Sequence, residues 1–312
     1  MAGPCQQAPA LVKLAAMQTS PSQRVAILTP DPADVTYANA WPGVLDRLAV
    51  ALASAGVTAV PTPWSAHVDD VSGLLDYALV LPLLTWGYHL DHARWLRACQ
   101  AWEVAGVRMA NPPAVLAQNS DKRYLAALAG RGVAIPSTTW TERVTQAQVD
   151  AMFETTDAEQ LIVKPTVSGG AWKTLRLRRG DALHDAPDGA AMLQPYLSTI
   201  ETEGETSLLF FGGEFSHAVN KRPVAGEFRI QVEFGGVYTA VPTPAPGALA
   251  LARQVLDAID TPLLYARIDM VPDRDGQWRL MEAELIEPDF YLGQDPNSGA
   301  GFAAAVRALL PR

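Results

Sequence analysis

Ala266-Arg267-Ile268-Asp269-Met270-Val271-Pro272-Asp273-Arg274-Asp275-Gly276-Gln277-Trp278-Arg279-Leu280-Met281-Glu282-Ala283-Glu284 is the stretch whose reading decides the fold. Two runs of strand-forming residues flank Asp275-Gly276, a dipeptide that favours a two-residue hairpin turn. A turn there pairs position 274 with 277. Carried back along the ladder, this register sets Asp269 opposite Glu282 and Arg267 opposite Glu284. Side chains two apart on a strand share a face, so Asp269, Glu282 and Glu284 converge with Arg267 among them. Carboxylates opposite each other repel. A divalent cation such as Mg²⁺, which takes hard oxygen ligands and bridges to substrate phosphates, relieves that repulsion. The same register also suits an exposed hairpin with solvated charges, or a salt-bridge cluster centred on Arg267.

Upstream, Leu161-Ile162-Val163-Lys164-Pro165 reads as a strand ending in a lysine, followed by the small-residue loop Thr166-Val167-Ser168-Gly169-Gly170. Such a loop lets backbone N–H groups approach phosphate oxygens, although most Gly-Gly pairs are only turns. It is not a Walker A loop, which ends in Gly-Lys-Ser/Thr. Gln194-Pro195-Tyr196-Leu197 then leads into an acidic stretch with Glu201, Glu203 and Glu205, and a hairpin is expected through Gly212-Gly213. Lys221, Arg222 and Arg229 add three cations between the lysine loop and the acidic hairpin. Taken singly, each is as well explained as a solvated surface charge; their order alongside the carboxylates is what joins them.

The N-terminal part alternates strand and helix. Strands are expected over 24–28, 57–60 and 77–84, the last nearly all apolar and so buried on both faces. Helices are expected over 41–55, with Val44, Leu45, Leu48 and Leu52 at helical spacing, and over 91–105. This pattern implies a parallel α/β domain over 24–117. A central unit over 118–196 opens with a helix at 122–129, capped by Ser120 or Asp121, and includes strands at 138–140 and 161–163. A C-terminal unit over 197–312 holds the acidic hairpin, and one good helix over 247–259 is expected beyond residue 161. Trp86, Tyr88 and His89 fall at a strand end, where open α/β sheets place ligands; they read equally as packing or as a pocket wall.

The chain has 312 residues with a formal net charge of −9 and 18% charged residues. That balance argues against a broad nucleic-acid or anionic-membrane surface while leaving room for a local anion site. No apolar run approaches the roughly 20 residues of a membrane span. The two cysteines, Cys5 and Cys99, build neither a disulfide framework nor a cysteine zinc site, so a reducing, cytoplasmic setting is the expectation. Residues 1–23 read as a flexible extension. Lys13 interrupts their weakly apolar segment and no basic segment precedes it, so no signal peptide is expected.

Arg267-Ile268-Asp269, Asp275-Gly276 and Glu282-Ala283-Glu284 resemble the metal hairpin of D-alanine–D-alanine ligases, where Glu-Ala-Asn is usual; Glu284 replaces that Asn. Val163-Lys164-Pro165 resembles the adenine-side lysine strand of the ATP-grasp superfamily, Ser168-Gly169-Gly170 its glycine-rich phosphate loop, and Gln194 to Leu197 its adenine-edge segment. The spacing is similar to that of bacterial glutathione synthetases and ribosomal-protein glutamate ligases. Over the whole chain, Trp86-Gly87-Tyr88, Asn111-Pro112, Asn119-Ser120-Asp121-Lys122-Arg123-Tyr124-Leu125, Phe228-Arg229-Ile230-Gln231 and Glu284-Leu285-Ile286-Glu287-Pro288 resemble the O-ureido-serine cyclo-ligases of D-cycloserine biosynthesis.

The resemblance implies an ATP-grasp fold, α/β and α+β, behind an N-terminal parallel α/β domain. It implies a ligase that phosphorylates a small amino-acid-like carboxylate and captures the acyl phosphate with an amine, intermolecularly or by ring closure. ATP and Mg²⁺, two ions with Mn²⁺ as an alternative, are the implied cofactors. Asp269, Glu282 and Glu284 would hold the metal. Lys122, Lys164, Ser168, Gly169, Gly170, Gln194, Tyr196, Leu197 and Glu205 would hold the nucleotide. Arg267, Arg229 and Arg222 would serve the transferring phosphoryl group and the substrate carboxylate. Related ligases are often dimers, so a homodimer fits. The competing class is an ATP-binding regulatory protein that has lost catalysis, for which Arg267 beside three carboxylates has no use.

Overall fold

The computed structural model describes residues 23–31, 33–224, 227, 229–231 and 234–311. The extension expected over 1–23 lies outside them except for Gln23, which already pairs in the first strand.

The first sheet is parallel, in the order β2-β1-β3, from β1 (Gln23–Thr29), β2 (Val57–Pro63) and β3 (Leu79–Leu81). Its central strand is apolar on both faces, as a covered parallel strand must be. Val25 and Ile27 pack with Leu48 and Leu52 of α1 (Trp41–Ala53), whereas Ala26 and Leu28 pack with Trp95, Ala98 and Trp102 of α2 (His92–Val104). Asp91 caps α2 by accepting from the Arg94 N–H. The strand expected over 77–84 is shorter than its apolar run. Pro82 has no N–H to give the ladder, and Leu83, Leu84 and Thr85 continue as buried chain, with Leu84 N–H still bonded to Leu28 O.

The second sheet is antiparallel, in the order β4-β7-β5-β6, from β4 (Thr139–Thr141), β5 (Gln160–Pro165), β6 (Leu175–Arg178) and β7 (Ala191–Pro195). One face, with Leu161, Val163, Ala191 and Leu193, packs on α5 (Gln146–Thr156) through Val149, Met152 and Phe153. Alternation then turns Ile162, Lys164, Met192 and Gln194 to the other face. A capping box between Thr145 and Gln148 starts α5.

The third sheet is antiparallel, in the order β10-β9-β8-β11-β12, from β8 (Glu205–Phe211), β9 (Glu214–Arg222), β10 (Val237–Ala240), β11 (Tyr265–Pro272) and β12 (Trp278–Glu284). Leu208, Phe210, Ile268, Met270, Leu280 and Ala283 pack against α7 (Pro246–Ala258) and α4 (Tyr124–Gly130). On the opposite face, Leu209 and Phe211 meet Phe302 and Val306 of α8 (Ala300–Leu309), which also packs on α1. Asn111 joins the first unit to this sheet: its amide donates to Tyr265 O and Leu285 O, and its carbonyl accepts from Leu264 N–H.

Two expectations need correction. α4 begins at Tyr124 rather than 122, because the Lys122 N–H is taken by Thr166 O and Asp121 bonds Arg123 N–H instead of capping a helix. And α7 is not the one substantial helix beyond residue 161: α8 follows it, with Phe302 and Val306 at helical spacing and buried. No helix among the described residues is long and apolar enough to cross a membrane.

Candidate active site

The acidic hairpin turns differently from its sequence reading, yet reaches the same register. Asp273 N–H bonds Gln277 O and Gly276 N–H bonds Asp273 O, so the loop is three residues, 274–276. Gly276 takes the left-handed φ of 74° that ends such a loop. The ladder leaves it with Val271 opposite Arg279 and Met270 opposite Leu280, one residue off the expected pairing. A β-bulge at Met281 then restores it: Asp269 faces Glu282 and Arg267 faces Glu284. The bulge also switches parity along β12, sending both Leu280 and Ala283 to the core while Glu282 and Glu284 share the face of Asp269.

One oxygen from each of Asp269, Glu282 and Glu284 lies within 4.8 Å of the others. Three hard carboxylate donors at that spacing suit Mg²⁺, whose bonds of about 2 Å close with small side-chain rotations. The trio is set among cations. Arg267 Nη2 lies 2.9 Å from Asp269 and 2.5 Å from Glu284. Lys221 Nζ lies 2.6 Å from Glu205 and 3.3 Å from Asp269, and Lys122 Nζ lies 3.2 Å from Glu282. Lys164 interacts electrostatically with Glu282 and Glu205. Four carboxylates thus stand against four cations in a largely water-excluded cluster, a balance that such burial requires.

The three candidate metal ligands differ in proton affinity. Burial raises each, but Arg267 and Lys221, with hydrogen bonds from Arg267 and Ser207, hold Asp269 down at about 2. For Glu282 burial is outweighed by Lys122 and Lys164, and its carboxyl is lowered. For Glu284 burial wins over Arg267, helped by Glu282 and Asp269, and its carboxyl is pushed up to about 7. Burial lowers Lys164, with Lys122 adding to the effect, whereas Asp269 and Glu205 outweigh burial and hold Lys221 well above the usual lysine range.

Local folding explains how Lys122 arrives. β12 is an edge strand, whose free backbone groups need partners. Asn119 bonds Ala283 O and Leu285 N–H, and the Tyr124 hydroxyl bonds Ala283 N–H. The turn clamped by these two side chains carries Lys122 to Glu282. Lys122 Nζ also donates to Ser168 O, fixing the glycine loop. A Cβ on Gly169 would lie 3.1 Å from the His89 ring, so glycine there permits the loop's close approach. Trp172 follows, its ring 6.1 Å from His89.

Gln194 is buried on the Lys164 face of the second sheet and donates to Thr138. Tyr196 and Leu197 lie just beyond β7; the Tyr196 hydroxyl donates to Glu201, and Arg176 stacks 4.0 Å over its ring. The structure does not bring Arg222 to the cluster. Its side chain is exposed and bonds Asn220, while its neighbour Lys221 points inward. Arg229 pairs with Glu227 at 2.6 Å and stacks 3.6 Å over Phe234; of its neighbours in the quoted motif, Phe228 is outside the described residues. Lys221 and Ser207 are the cluster members that sequence reasoning did not place.

Residues 25–111 match the family described as D-cycloserine synthetase DcsG, N-terminal domain. The chain is 29% identical over 273 residues to the cycloserine biosynthesis protein DcsG of Streptomyces lavendulae, covering 82% of this chain and 90% of that protein. The crystal structure of D-cycloserine synthetase DcsG superposes with a TM-score of 0.76 at 27% identity, covering 92% of this chain and 100% of that one. The ATP complex of D-alanine–D-alanine ligase from Bacillus anthracis shares the fold with a TM-score of 0.68 at 15% identity, covering 93% and 97%. With three sheets so arranged, and an acidic hairpin ringed by lysines and an arginine, the chain belongs to the ATP-grasp superfamily of ligases.

Proposed function

We propose that this ligase activates the carboxylate of a small amino-acid-like substrate as an acyl phosphate and closes a ring on it with a nitrogen of the same molecule, releasing ADP and phosphate. The observation that carries the reading is Arg267, buried on β11 between Asp269 and Glu284. A guanidinium there can hold a carboxylate or phosphoryl oxygen bidentately and stabilise negative charge developing on it. Ring closure is favoured over intermolecular capture by the similarity, over most of both chains, to proteins named for cycloserine synthesis.

Each proposed role has a local warrant. Asp269, Glu282 and Glu284 would hold Mg²⁺, as one ion or two, and Mn²⁺ would suit the same oxygens. When bound, the metal offsets charge on the β- and γ-phosphates. Lys122 and Lys164 would grip the nucleotide phosphates beneath the loop of Ser168, Gly169 and Gly170. Gln194, Tyr196 and Leu197 would line the base, and Glu205, paired with Lys221 beside Asp269, would serve the nucleotide from the metal side. Lys221 is better placed than Arg222 to meet the γ-phosphate, since it already stands between Glu205 and Asp269. Arg229 would reach substrate by exchanging its Glu227 partner.

The test is to incubate the protein with ATP, Mg²⁺ and O-ureido-serine, follow ADP and phosphate, and identify the product by mass. Ring closure by the nitrogen bonded to oxygen leaves the carbamoyl group on it, and water must then remove that group as ammonia and carbon dioxide. Cycloserine with ADP, phosphate, ammonia and carbon dioxide is therefore the expected result, and Glu282→Gln is expected to abolish it while keeping the fold. Release of AMP and pyrophosphate would exclude the acyl phosphate. ADP release with an open-chain amide as the product would exclude ring closure.

A further inference from the structure

Glu287 follows β12 by three residues, on a segment held rigidly by its neighbours. The Tyr265 hydroxyl donates to Ile286 O, and Asn119 and Asn111 bond the main chain of Leu285. Its Oε2 is buried and has no hydrogen-bond partner among the described residues. Leaving a buried carboxylate oxygen unpaired is costly, so the fold holds this group in readiness for something absent from the chain. A second buried polar atom, His89 Nδ1, also lacks a partner among the described residues, and Tyr88, whose ring is 5.9 Å from that of His89, feels the Glu287 charge.

The chemistry of the missing partner can be narrowed. Glu287 is not in the group of carboxylates close enough to share a metal. Among the described residues no ion pair joins it to the cluster's cations, which already answer four carboxylates, although Arg267 and Lys122 act on it at longer range. Its own surroundings are anionic: burial first, then Glu284 and Glu282, push its carboxyl well above the ordinary range despite Arg267 and Lys122. A neutral donor would leave that negative field unanswered, whereas a ligand cation would relieve it. Arg267, which pairs with Glu284 on the metal hairpin, also acts electrostatically on Glu287. A ligand joining a carboxylate to a cation a few bonds away would therefore bridge Arg267 and Glu287.

We propose that Glu287 is the receptor for the substrate's α-ammonium group, which makes the enzyme specific for zwitterionic amino acids over their des-amino counterparts. This rests on the ligase reading above and deepens it. Held as an ammonium, that nitrogen has no lone pair, so the attacking nitrogen must be another one.

The experiment compares O-ureido-serine with its des-amino analogue, 3-(ureidooxy)propanoate, in wild type and in the isosteric Glu287→Gln variant, reading ADP release and thermal stabilisation. Wild type is expected to prefer the amine-bearing compound. Glu287→Gln is expected to raise its KM about 10- to 100-fold, as loss of a charged hydrogen bond does. The KM for ATP and the response to the des-amino compound should stay within about twofold. An equal response of wild type to both compounds, or an amine preference that survives in Glu287→Gln, would overturn the assignment. If neither compound raises ADP release, the ligase reading fails on this substrate. Binding then decides separately: thermal stabilisation by serine over 3-hydroxypropanoate, lost in Glu287→Gln, supports the ammonium site, and its absence in wild type refutes it.

Discussion

Glu284 stands where the D-alanine–D-alanine ligase hairpin usually has Asn, and the cost of the added charge can be worked out. Folding raises its carboxyl from 4.5 to about 7, chiefly by burial. The folded chain therefore binds this proton more tightly than the unfolded chain does. The sign follows: the group costs nothing below about pH 4.5, and stability falls as pH rises toward 7. At 1.36 kcal/mol per unit the ceiling is about 3 kcal/mol. The side chain keeps 28% of its exposure, and water screens part of the effect, leaving about 2 kcal/mol. Glu284→Gln removes the titration and keeps the shape. Urea unfolding of the metal-free protein in EDTA, at pH 5 and pH 8, is the assay. Wild type should lose about 2 kcal/mol more than the variant between the two conditions. Groups common to both cancel in that difference. Mg²⁺ added at pH 8 should return more stability to wild type, because the oxygens it would occupy are the ones that repel. Parallel pH profiles would refute the argument. A metal-free variant less stable than wild type at pH 8 would make the Arg267 pair a structural salt bridge that outweighs burial.

Two further outcomes test the framework around the cluster. Lys221→Met leaves Glu205 and Asp269 buried without their shared cation, and should cost about 3 kcal/mol or more in urea unfolding. The adjacent Arg222→Ala should stay within about 0.5 kcal/mol of wild type; similar losses for both would contradict the inward aim of Lys221. Asn111→Ala strips partners from Leu264 N–H, Tyr265 O and Leu285 O at once. It should cost about 3 kcal/mol, with faster hydrogen exchange at Leu264, and an unaltered exchange rate there would remove Asn111 as the tie between the first unit and the third sheet.

The same physics explains what could and could not be read from the sequence. Side-chain period and turn residues made the parallel α/β start, the Lys164 strand and the acidic hairpin legible. Where the chain departs from a regular ladder, the reading fails, because a β-bulge leaves no fixed residue signature. From the turn at Gly212-Gly213, an unbroken ladder would set Glu205 opposite Asn220 and give Arg222 the same face. The structure begins that way, with Phe211 opposite Glu214 and Phe210 opposite Phe215. The register then slips by one between Leu209 and Phe210, and Glu205 meets Lys221. One extra residue, Ser216, thus exchanges which of two adjacent cations enters the cluster. In the acidic hairpin the three-residue loop and the bulge at Met281 shift the register in opposite senses. Their cancellation is why a two-residue turn, wrong in detail, still set Asp269 against Glu282. Both bulges lie within the strands that carry the candidate ligands, and both let a strand keep apolar residues in the core while turning charge to the cleft. Ala283 and Leu280 could not both be buried beside Ile268 and Met270 on an unbulged β12 that also aimed Glu282 and Glu284 at Asp269. The irregularity is therefore the device by which one short hairpin serves two incompatible periodicities, and a deletion of Met281 would force a choice between the core and the metal site.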